Sequence, residues 1–369
     1  SIAEIVFSST ISFTETCLDV QSLSSYKVNR MQAIEVLGAP ASPYTRKMLA
    51  LLRYRRLPYR VLWGSHVSPP VGYPTPKVKL LPTVYLPTPD GKEAVVDSTP
   101  IIDRLEVLHS DRAVRPANEV LRYLDMLIED FADEWLTKAM FHYRWHYAQD
   151  AKNAGPMIAY GENLQFDSAA ASKMSEAFSQ RQISRLPLVG SNAVTAPIIE
   201  ASFLRLVGIL DRMIERQGFV LGTQPASADF ALYGQLTQLG ILDPTPAQLL
   251  VKASPRLRAW LDQMEDLSGH GPGQWLDAEH IATHLGELLT EIGRTYAPFL
   301  IANAHASAAG KMDFDTVIDG QPWVQPVFAY QVKCLETLRE AMHLMTPLGR
   351  QALDRVLAGT GCESIFKLS

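Results

Sequence analysis

Residues 41–52, ASPYTRKMLALL, carry two hydroxyl side chains where proteins that work on thiols often carry two cysteines. Ser42 and Thr45 have Cys-x-x-Cys spacing at a point where an apolar strand gives way to a helix. A serine cannot form a mixed disulfide, so the pair argues against dithiol redox chemistry. Its hydroxyl can still donate a hydrogen bond to the sulfur of another molecule. The positive end of the helix dipole would also stabilise a thiolate there, so we predict a site that activates a bound thiol as a nucleophile.

Tyr44 is a second candidate donor to that sulfur, since it lies two residues beyond Ser42. Its side chain has two other possible environments, the core and the cleft between two domains. Ser42 also has a purely structural explanation as the N-cap of the helix. The sequence favours Ser42 over Tyr44 as the donor and leaves the N-cap explanation open.

The elements around this segment follow a βαβ then ββα order. The first two strands flank the helix and must be parallel, as a right-handed crossover requires. The last two strands form a hairpin with its turn at Asp90-Gly91. A helix follows, with Ser98 or Thr99 as its predicted N-cap and Pro100 in its first turn. The strands are predicted at residues 34–37, 59–64, 82–87 and 94–97.

After residue 115 the apolar residues follow helical periodicity. Gly218 predicts a helix C-cap and Ser254 an N-cap. The predicted helices cover residues 117–147, 195–218, 227–240, 254–267, 278–296, 324–345 and 347–358. The last three belong to an extension whose apolar helix faces must pack on the helical domain or on a second subunit, because isolated helices of this length are marginal in water.

Composition excludes several classes of function. The 369 residues carry a formal charge of −5 and no dense Lys/Arg run, which argues against nucleic-acid binding. No apolar stretch is long enough to span a membrane. Three widely spaced cysteines give no metal-ligand spacing and fit a reducing cytoplasm. Residues 1–30 are Ser/Thr-rich and lack the pattern of a signal peptide, so we expect an appendage or leader.

Four local motifs occur together in order: SPYTRKM, LLPTVYL, VVDSTPIIDRLE and GTQPASADFALYGQL. In this order and spacing, residues 34–268 resemble the glutathione transferase family. The resemblance implies an α/β thioredoxin-like N-terminal domain at 31–110 and an all-α C-terminal domain at 115–268. Additional C-terminal helices at 269–369 would pack on the α domain.

The resemblance also implies roles for individual residues. The Leu81-Pro82 bond would be cis, and the Leu81 backbone would pair with the cysteinyl part of glutathione. Ser98, at a helix start, would hold the γ-glutamyl carboxylate, and Asp97 would approach the ammonium group. Alternatively, Ser98 is only an N-cap and Asp97 a turn residue. Lys79 or Lys77 would hold the glycyl carboxylate, and the alignment leaves both possible.

The predicted function is transfer of the glutathione thiolate to a small apolar electrophile, with glutathione as co-substrate and no metal. The resemblance implies a homodimer. A non-catalytic ligand-binding protein with the same fold is the alternative, and a glutathione-dependent disulfide reductase is disfavoured by Ser42 and Thr45. His142 and His146 lack a third metal ligand, so we expect an aromatic pocket or a packed helix surface there. Asp229 is predicted to cap a helix, and Cys362 to be a small buried residue.

Overall fold

The computed structural model describes residues 32–66 and 69–367, so the predicted leader at 1–30 lies outside the described residues. The first domain contains a four-stranded mixed sheet with strands in the order β2-β1-β3-β4. Strand β1 pairs parallel with β2 and antiparallel with β3, and β4 closes the other edge against β3. This is the predicted thioredoxin-like arrangement. The strands are β1 (Ile34–Gly38), β2 (Tyr59–Trp63), β3 (Thr83–Thr88) and β4 (Gly91–Val95).

Two helices complete this domain, α1 (Pro43–Tyr54) and α2 (Ser98–Leu108). The predicted N-cap of α2 at Ser98 or Thr99 is wrong. Asp97 is the N-cap, and its Oδ1 accepts a hydrogen bond from the Thr99 N–H at 3.4 Å. The physical reason is the backbone of Asp97, whose φ of 74° turns the chain sharply, so that Ser98 is already helical.

The predicted long helix at 117–147 is present but interrupted by a π-helical turn at Ala132–Leu136. That turn separates α3 (Glu119–Phe131) from α4 (Thr137–His146). A single extra residue in a helical turn re-aims the side chains that follow it. The next two helices, α5 (Ala148–Glu162) and α6 (Ser168–Ile183), pack on each other as a helical hairpin that the sequence did not predict.

Two caps of the remaining helices lie where the sequence predicts them. Gly218 follows the first of these helices with φ 84°, and Ser254 Oγ caps the start of the last by accepting from the Leu257 N–H. Asp229 accepts from the N–H groups of Val220 and Ala226, which confirms its capping role. These helices are α7 (Ala196–Gln217), α8 (Ser227–Thr237), α9 (Pro244–Ala253) and α10 (Pro255–Met264).

The extension differs from its prediction, because it contains a β-hairpin. The helix predicted at 324–345 begins only at Ala329, and the helix predicted at 278–296 continues to Ala308. The turn at Asp319-Gly320 has positive φ at both residues, as an Asp-Gly hairpin turn requires. The elements are α11 (Ile281–Ala308), β5 (Asp313–Ile318), β6 (Gln321–Pro326), α12 (Ala329–His343) and α13 (Pro347–Leu357).

The extension shares one continuous apolar core with both preceding domains. The ring centroid of Trp323, on β6, lies 5.2 Å from that of Trp135. The ring centroid of Phe299 lies 5.6 Å from that of Trp135. The buried ammonium of Lys138 donates to Gln325 Oε1 and lies 4.2 Å from the Phe299 ring. The hairpin is therefore fixed to the π-kinked helix by aromatic packing. Within the described ranges, no helix combines the length and apolarity needed to cross a membrane.

Candidate functional site

Two cavities meet at the start of α1. The larger, the apolar pocket, has a volume of about 210 Å³ and lies between the first domain and helices α4 to α6. The smaller, the polar cavity, has a volume of about 30 Å³ and lies beside the start of α2. Tyr44, Leu80 and Leu81 line both cavities. A ligand that spans the two must therefore pass over these three residues.

Ser42 lies on the wall of the apolar pocket and caps α1. Its Oγ accepts a hydrogen bond from the Thr45 N–H at 3.2 Å, so the hydroxyl hydrogen is left for another acceptor. A side chain of the helical domain holds the loop that precedes Ser42, because Arg144 donates a hydrogen bond to the Ala41 carbonyl at 3.0 Å. Gly234 permits this close approach, since a Cβ there would lie 2.5 Å from the Pro43 carbonyl oxygen.

Tyr44 is directed toward the helical domain. Its hydroxyl donates to the backbone carbonyl of Asp133 at 2.8 Å. Burial, together with the nearby Glu134 and Asp133 carboxylates, raises the pKa of Tyr44 well above its ordinary value. The phenol therefore stays neutral, and its one hydrogen is already engaged. This geometry favours Ser42 over Tyr44 as a donor to a sulfur atom.

The Leu81-Pro82 peptide bond is cis. Leu81 lines both cavities, whereas Pro82 lines the polar one. Of the two candidate lysines, Lys79 lines the apolar pocket, and Lys77 is absent from the described walls of both cavities.

The third group of predicted residues, Asp97 and Ser98, lies on the wall of the polar cavity. Ser98 is 5% exposed, and its Oγ accepts from the Lys47 ammonium at 2.9 Å. Asp97 Oδ2 accepts from the hydroxyl of Tyr330, at the start of α12, at 2.9 Å. A side chain of the extension therefore completes the wall of this cavity.

Lys47 supports the wall of the polar cavity through Ser98, a role that the sequence does not predict. It is fully buried, and its ammonium donates to Glu129 and Asp133 as well as to Ser98. Burial opposes its charge, but the two carboxylates outweigh burial and raise the pKa of Lys47. The available signal was its position, since Lys47 lies four residues from both Pro43 and Leu51 on the apolar face of α1.

The polar cavity is acidic. Burial raises the pKa of Asp130 to about 6 and that of Glu134 to about 8. Asp133 lies beside Glu129 as well as Lys47, and burial, despite the lysine, raises its pKa to about 7. Glu129 remains ionised, because Arg115 and Lys47 lower its pKa despite burial. Cationic groups such as an ammonium would be stabilised in these surroundings.

Helix α4 divides the aromatic stretch that the sequence singled out. Phe141 and Trp145 line the apolar pocket. His142 faces away from it, with Nδ1 2.8 Å from Ser191 Oγ and Nε2 3.0 Å from Glu200 Oε1, and it stacks on His146. The stretch is therefore a pocket wall on one face and a packed surface on the other. The described residues contain no group of side chains able to hold a metal ion.

Cys362 is fully buried, and its thiol donates to the Leu289 carbonyl at 3.1 Å. Cys334 is also buried and free, and burial raises the pKa of both thiols. The prediction of a small buried Cys362 is confirmed. Neither cysteine lines the apolar pocket or the polar cavity in the described part of the chain.

Two family models match this chain. The glutathione S-transferase N-terminal domain matches residues 36–113, and the glutathione S-transferase C-terminal domain matches residues 176–263. Both matches lie in the expected order on the two domains described above. No curated protein matches the sequence. The chain therefore contains the N-terminal and the C-terminal domain of the glutathione S-transferase family.

Solved structures of the same family are similar to this chain. One is a glutathione S-transferase from Methylobacterium radiotolerans in complex with glutathione sulfonate, with 18% identity, a TM-score of 0.40, and coverage of 63% of this chain and 91% of that one. Another, from Pseudomonas fluorescens Pf-5 with bound S-(propanoic acid)-glutathione, has 19% identity, a TM-score of 0.36, and coverage of 65% and 100%. A Tau class enzyme from mango has 15% identity, a TM-score of 0.36, and coverage of 63% and 88%.

Proposed function

We propose that this protein binds glutathione and transfers its sulfur to a small apolar electrophile held in the apolar pocket. The observation that carries the proposal is the position of Ser42. Its hydroxyl lies at the N-terminus of α1 and on the wall of the apolar pocket, with a hydrogen left to donate. A sulfur placed there would meet both the hydroxyl and the positive end of the helix dipole, which together stabilise a thiolate.

The chemistry that follows is nucleophilic attack. The thiolate forms a carbon–sulfur bond with the electrophile, and the electron pair of the broken bond leaves with the departing group or, in an addition, moves to an atom that then takes a proton. Ser42 would donate to the sulfur and shift its pKa downward. Phe141, Trp145 and Phe178 line the pocket that would hold the electrophile and exclude water.

Glutathione would lie over Leu81, with its γ-glutamyl end directed into the polar cavity. There the Ser98 hydroxyl would face its carboxylate, with Lys47 donating to that hydroxyl oxygen from behind, and Asp97 would face its ammonium. Lys79, on the wall of the apolar pocket, would face the glycyl carboxylate. At about 30 Å³ the polar cavity holds roughly two water molecules, so this end can enter only when Tyr330 releases Asp97.

The Tyr330–Asp97 hydrogen bond keeps the polar cavity small, and this favours a second candidate function, a ligand-binding protein of the same fold that performs no turnover. Such a protein would use the apolar pocket and leave the polar cavity shut. Disulfide reduction is less well supported, since the described thiols are buried away from both cavities. The first proposal also includes a homodimer and a cytoplasmic location. The molecular mass of the protein in solution tests the homodimer.

The deciding experiment is calorimetric titration with glutathione, followed by measurement of the thiolate absorbance of bound glutathione against pH. We expect binding, and a bound thiol whose pKa rises by about 1–2 units in Ser42→Ala, the loss of one hydrogen bond to a charged group. Ser42→Thr keeps the hydroxyl and should keep the low pKa. Tyr44→Phe is the second control and should leave the pKa unchanged, because that phenol donates to a backbone carbonyl. No heat of binding with folded protein would favour the second candidate.

A further inference from the structure

The outer wall of the apolar pocket is built by the helical hairpin α5–α6. Ile158 and Glu162 come from α5, and Phe178 and Arg181 come from α6. The hairpin packs through a small apolar cluster of its own, which is separate from the main core and includes Trp145 and Ile158. Neither matched domain model covers α5. Side chains of this hairpin therefore contribute to the selectivity of the pocket.

Basic side chains from the hairpin, the turn after it and the first domain line this pocket. They are Arg181, Arg185, Lys79 and the imidazole of His66. Within residues 32–66 and 69–367, none of these four side chains has a hydrogen bond or an ion pair with another residue. Another cation, Arg144, also lines the pocket but is neutralised by Asp243, to which its Nε donates at 2.9 Å.

The uncompensated cations act on one another. Burial lowers the pKa of His66, and the charges of Arg181 and Lys79 lower it further. Burial likewise lowers the pKa of Arg185, with Arg181 as the second cause. Like charges repel at short range, so the neighbouring charges disfavour a proton on His66 and on Arg185, and a bound anion would relieve that repulsion.

Among the described residues, the pocket lining contains one carboxyl group, and it forms no ion pair with the cations. Glu162 lines the apolar pocket, and burial alone raises its pKa to about 7. Nearby cations would have lowered that pKa. The lining of the pocket therefore combines cationic side chains with aromatic rings, and its one described carboxyl group pairs with none of those cations.

We propose that the apolar pocket selects an organic anion, a flat apolar body with a carboxylate or sulfonate held by Arg181 and Arg185. The apolar body would lie against Phe141, Trp145 and Phe178. This inference rests on the proposed function, of which it specifies the substrate class, and it refines the expectation of a merely apolar electrophile. Guanidinium groups suit it, because they pair with planar oxyanions in bidentate geometry.

The test compares two fluorescent probes that share an aromatic skeleton, anilinonaphthalenesulfonate, which is anionic, and N-phenylnaphthylamine, which is neutral. Full-length wild-type protein should bind the sulfonate about tenfold more tightly than the neutral probe at low salt. The preference should shrink as ionic strength rises, because Arg181 is exposed. In the double variant Arg181→Gln/Arg185→Gln the preference should disappear, while the neutral probe binds as before.

Lys173→Gln is the matched control, since it removes a positive charge from the exposed side of α6 outside the pocket. It should keep the full preference. Equal affinity of the two probes in wild type, or an unchanged preference in the double arginine variant, would overturn the inference. So would loss of the preference in saturating glutathione, because the cations would then serve glutathione's own carboxylate. The probes need no glutathione, so failure of the proposed function would show separately, in the calorimetry.

Discussion

The Tyr330 hydroxyl donates a hydrogen bond to Oδ2 of Asp97 at 2.9 Å, and this contact joins the extension to the polar cavity of the first domain. The next residue, Gln331, donates to Glu134 Oε2 at 3.1 Å on the same side. We propose that a ligand ammonium at Asp97 competes with this tyrosine. Ligand binding and docking of α12 would then be linked, and each would weaken the other by the same factor.

We expect Tyr330→Phe to tighten glutathione binding. The variant keeps the aromatic packing and removes the hydroxyl that competes for Asp97. A typical intramolecular hydrogen bond contributes about 0.5–1.5 kcal/mol, so the dissociation constant should fall roughly two- to tenfold. Calorimetric titration measures this change, and thermal unfolding should show a small loss of stability in the free protein.

Tyr147→Phe provides the matched control for that variant. Its hydroxyl donates to Glu200 at 2.6 Å, outside the polar cavity, so glutathione affinity should stay at the wild-type value. Weaker binding in Tyr330→Phe would mean that the tyrosine holds the ligand instead of competing with it.

Ser98→Ala should weaken glutathione binding by about 1–3 kcal/mol, because a hydrogen bond to a charged carboxylate is lost. The free protein should also lose stability, since the buried Lys47 ammonium gives up one of its three acceptors. Ser202→Ala separates the two effects. That serine is buried too and accepts from Trp135 at 2.9 Å, far from the site. Equal glutathione affinity in both folded variants would remove Ser98 from the binding site.

Local patterns predicted the parts of the site that local chemistry determines. Ser42 caps a helix because of its position before Pro43, and Leu81-Pro82 lies in a strand–loop motif that the sequence displays. Lys47 was missed because a lysine is by default exposed, and only the tertiary fold surrounds it with acids. Tyr330 was also missed, since its partner Asp97 is more than two hundred residues away. The hairpin at 313–326 went unpredicted although its Asp-Gly turn was visible in the sequence.

The buried acids of the polar cavity make stability depend on pH. Burial raises the pKa of Glu134 from 4.5 to about 8. Between those values the folded protein keeps a proton that the unfolded chain releases, so the free energy of unfolding falls as pH rises through this window. Glu134→Gln cannot ionise and can still accept from Gln331. We expect it to be more stable than wild type near pH 8, by on the order of 1–3 kcal/mol, and equal to it near pH 4.

Urea unfolding at several pH values measures this difference directly. Glu176→Gln, on the exposed side of α6, should follow the wild-type curve throughout. A difference between Glu134→Gln and wild type that does not change with pH would mean that Glu134 is already ionised in the folded state.

The extension contributes to the core through Trp323, and this allows a graded test. Trp323 is fully buried against Trp135 and Phe299, and its indole N–H has no hydrogen-bond partner among the described residues. Trp323→Ala should cost about 3–5 kcal/mol, because a large cavity forms. Trp323→Phe keeps most of the packing and removes the unsatisfied donor, so its cost should be much smaller.

Deletion of residues 269–369 extends the same argument to the whole extension. It would expose Trp135 and the helix faces that α11 and the hairpin cover, which is an apolar patch larger than folded monomers usually present. We expect insoluble protein, or a folded core that associates through this patch. Solubility, melting temperature and oligomeric mass are the measurements. A soluble truncated protein that matches wild type in melting temperature and in oligomeric state would show that the extension folds independently, and it would contradict the shared core.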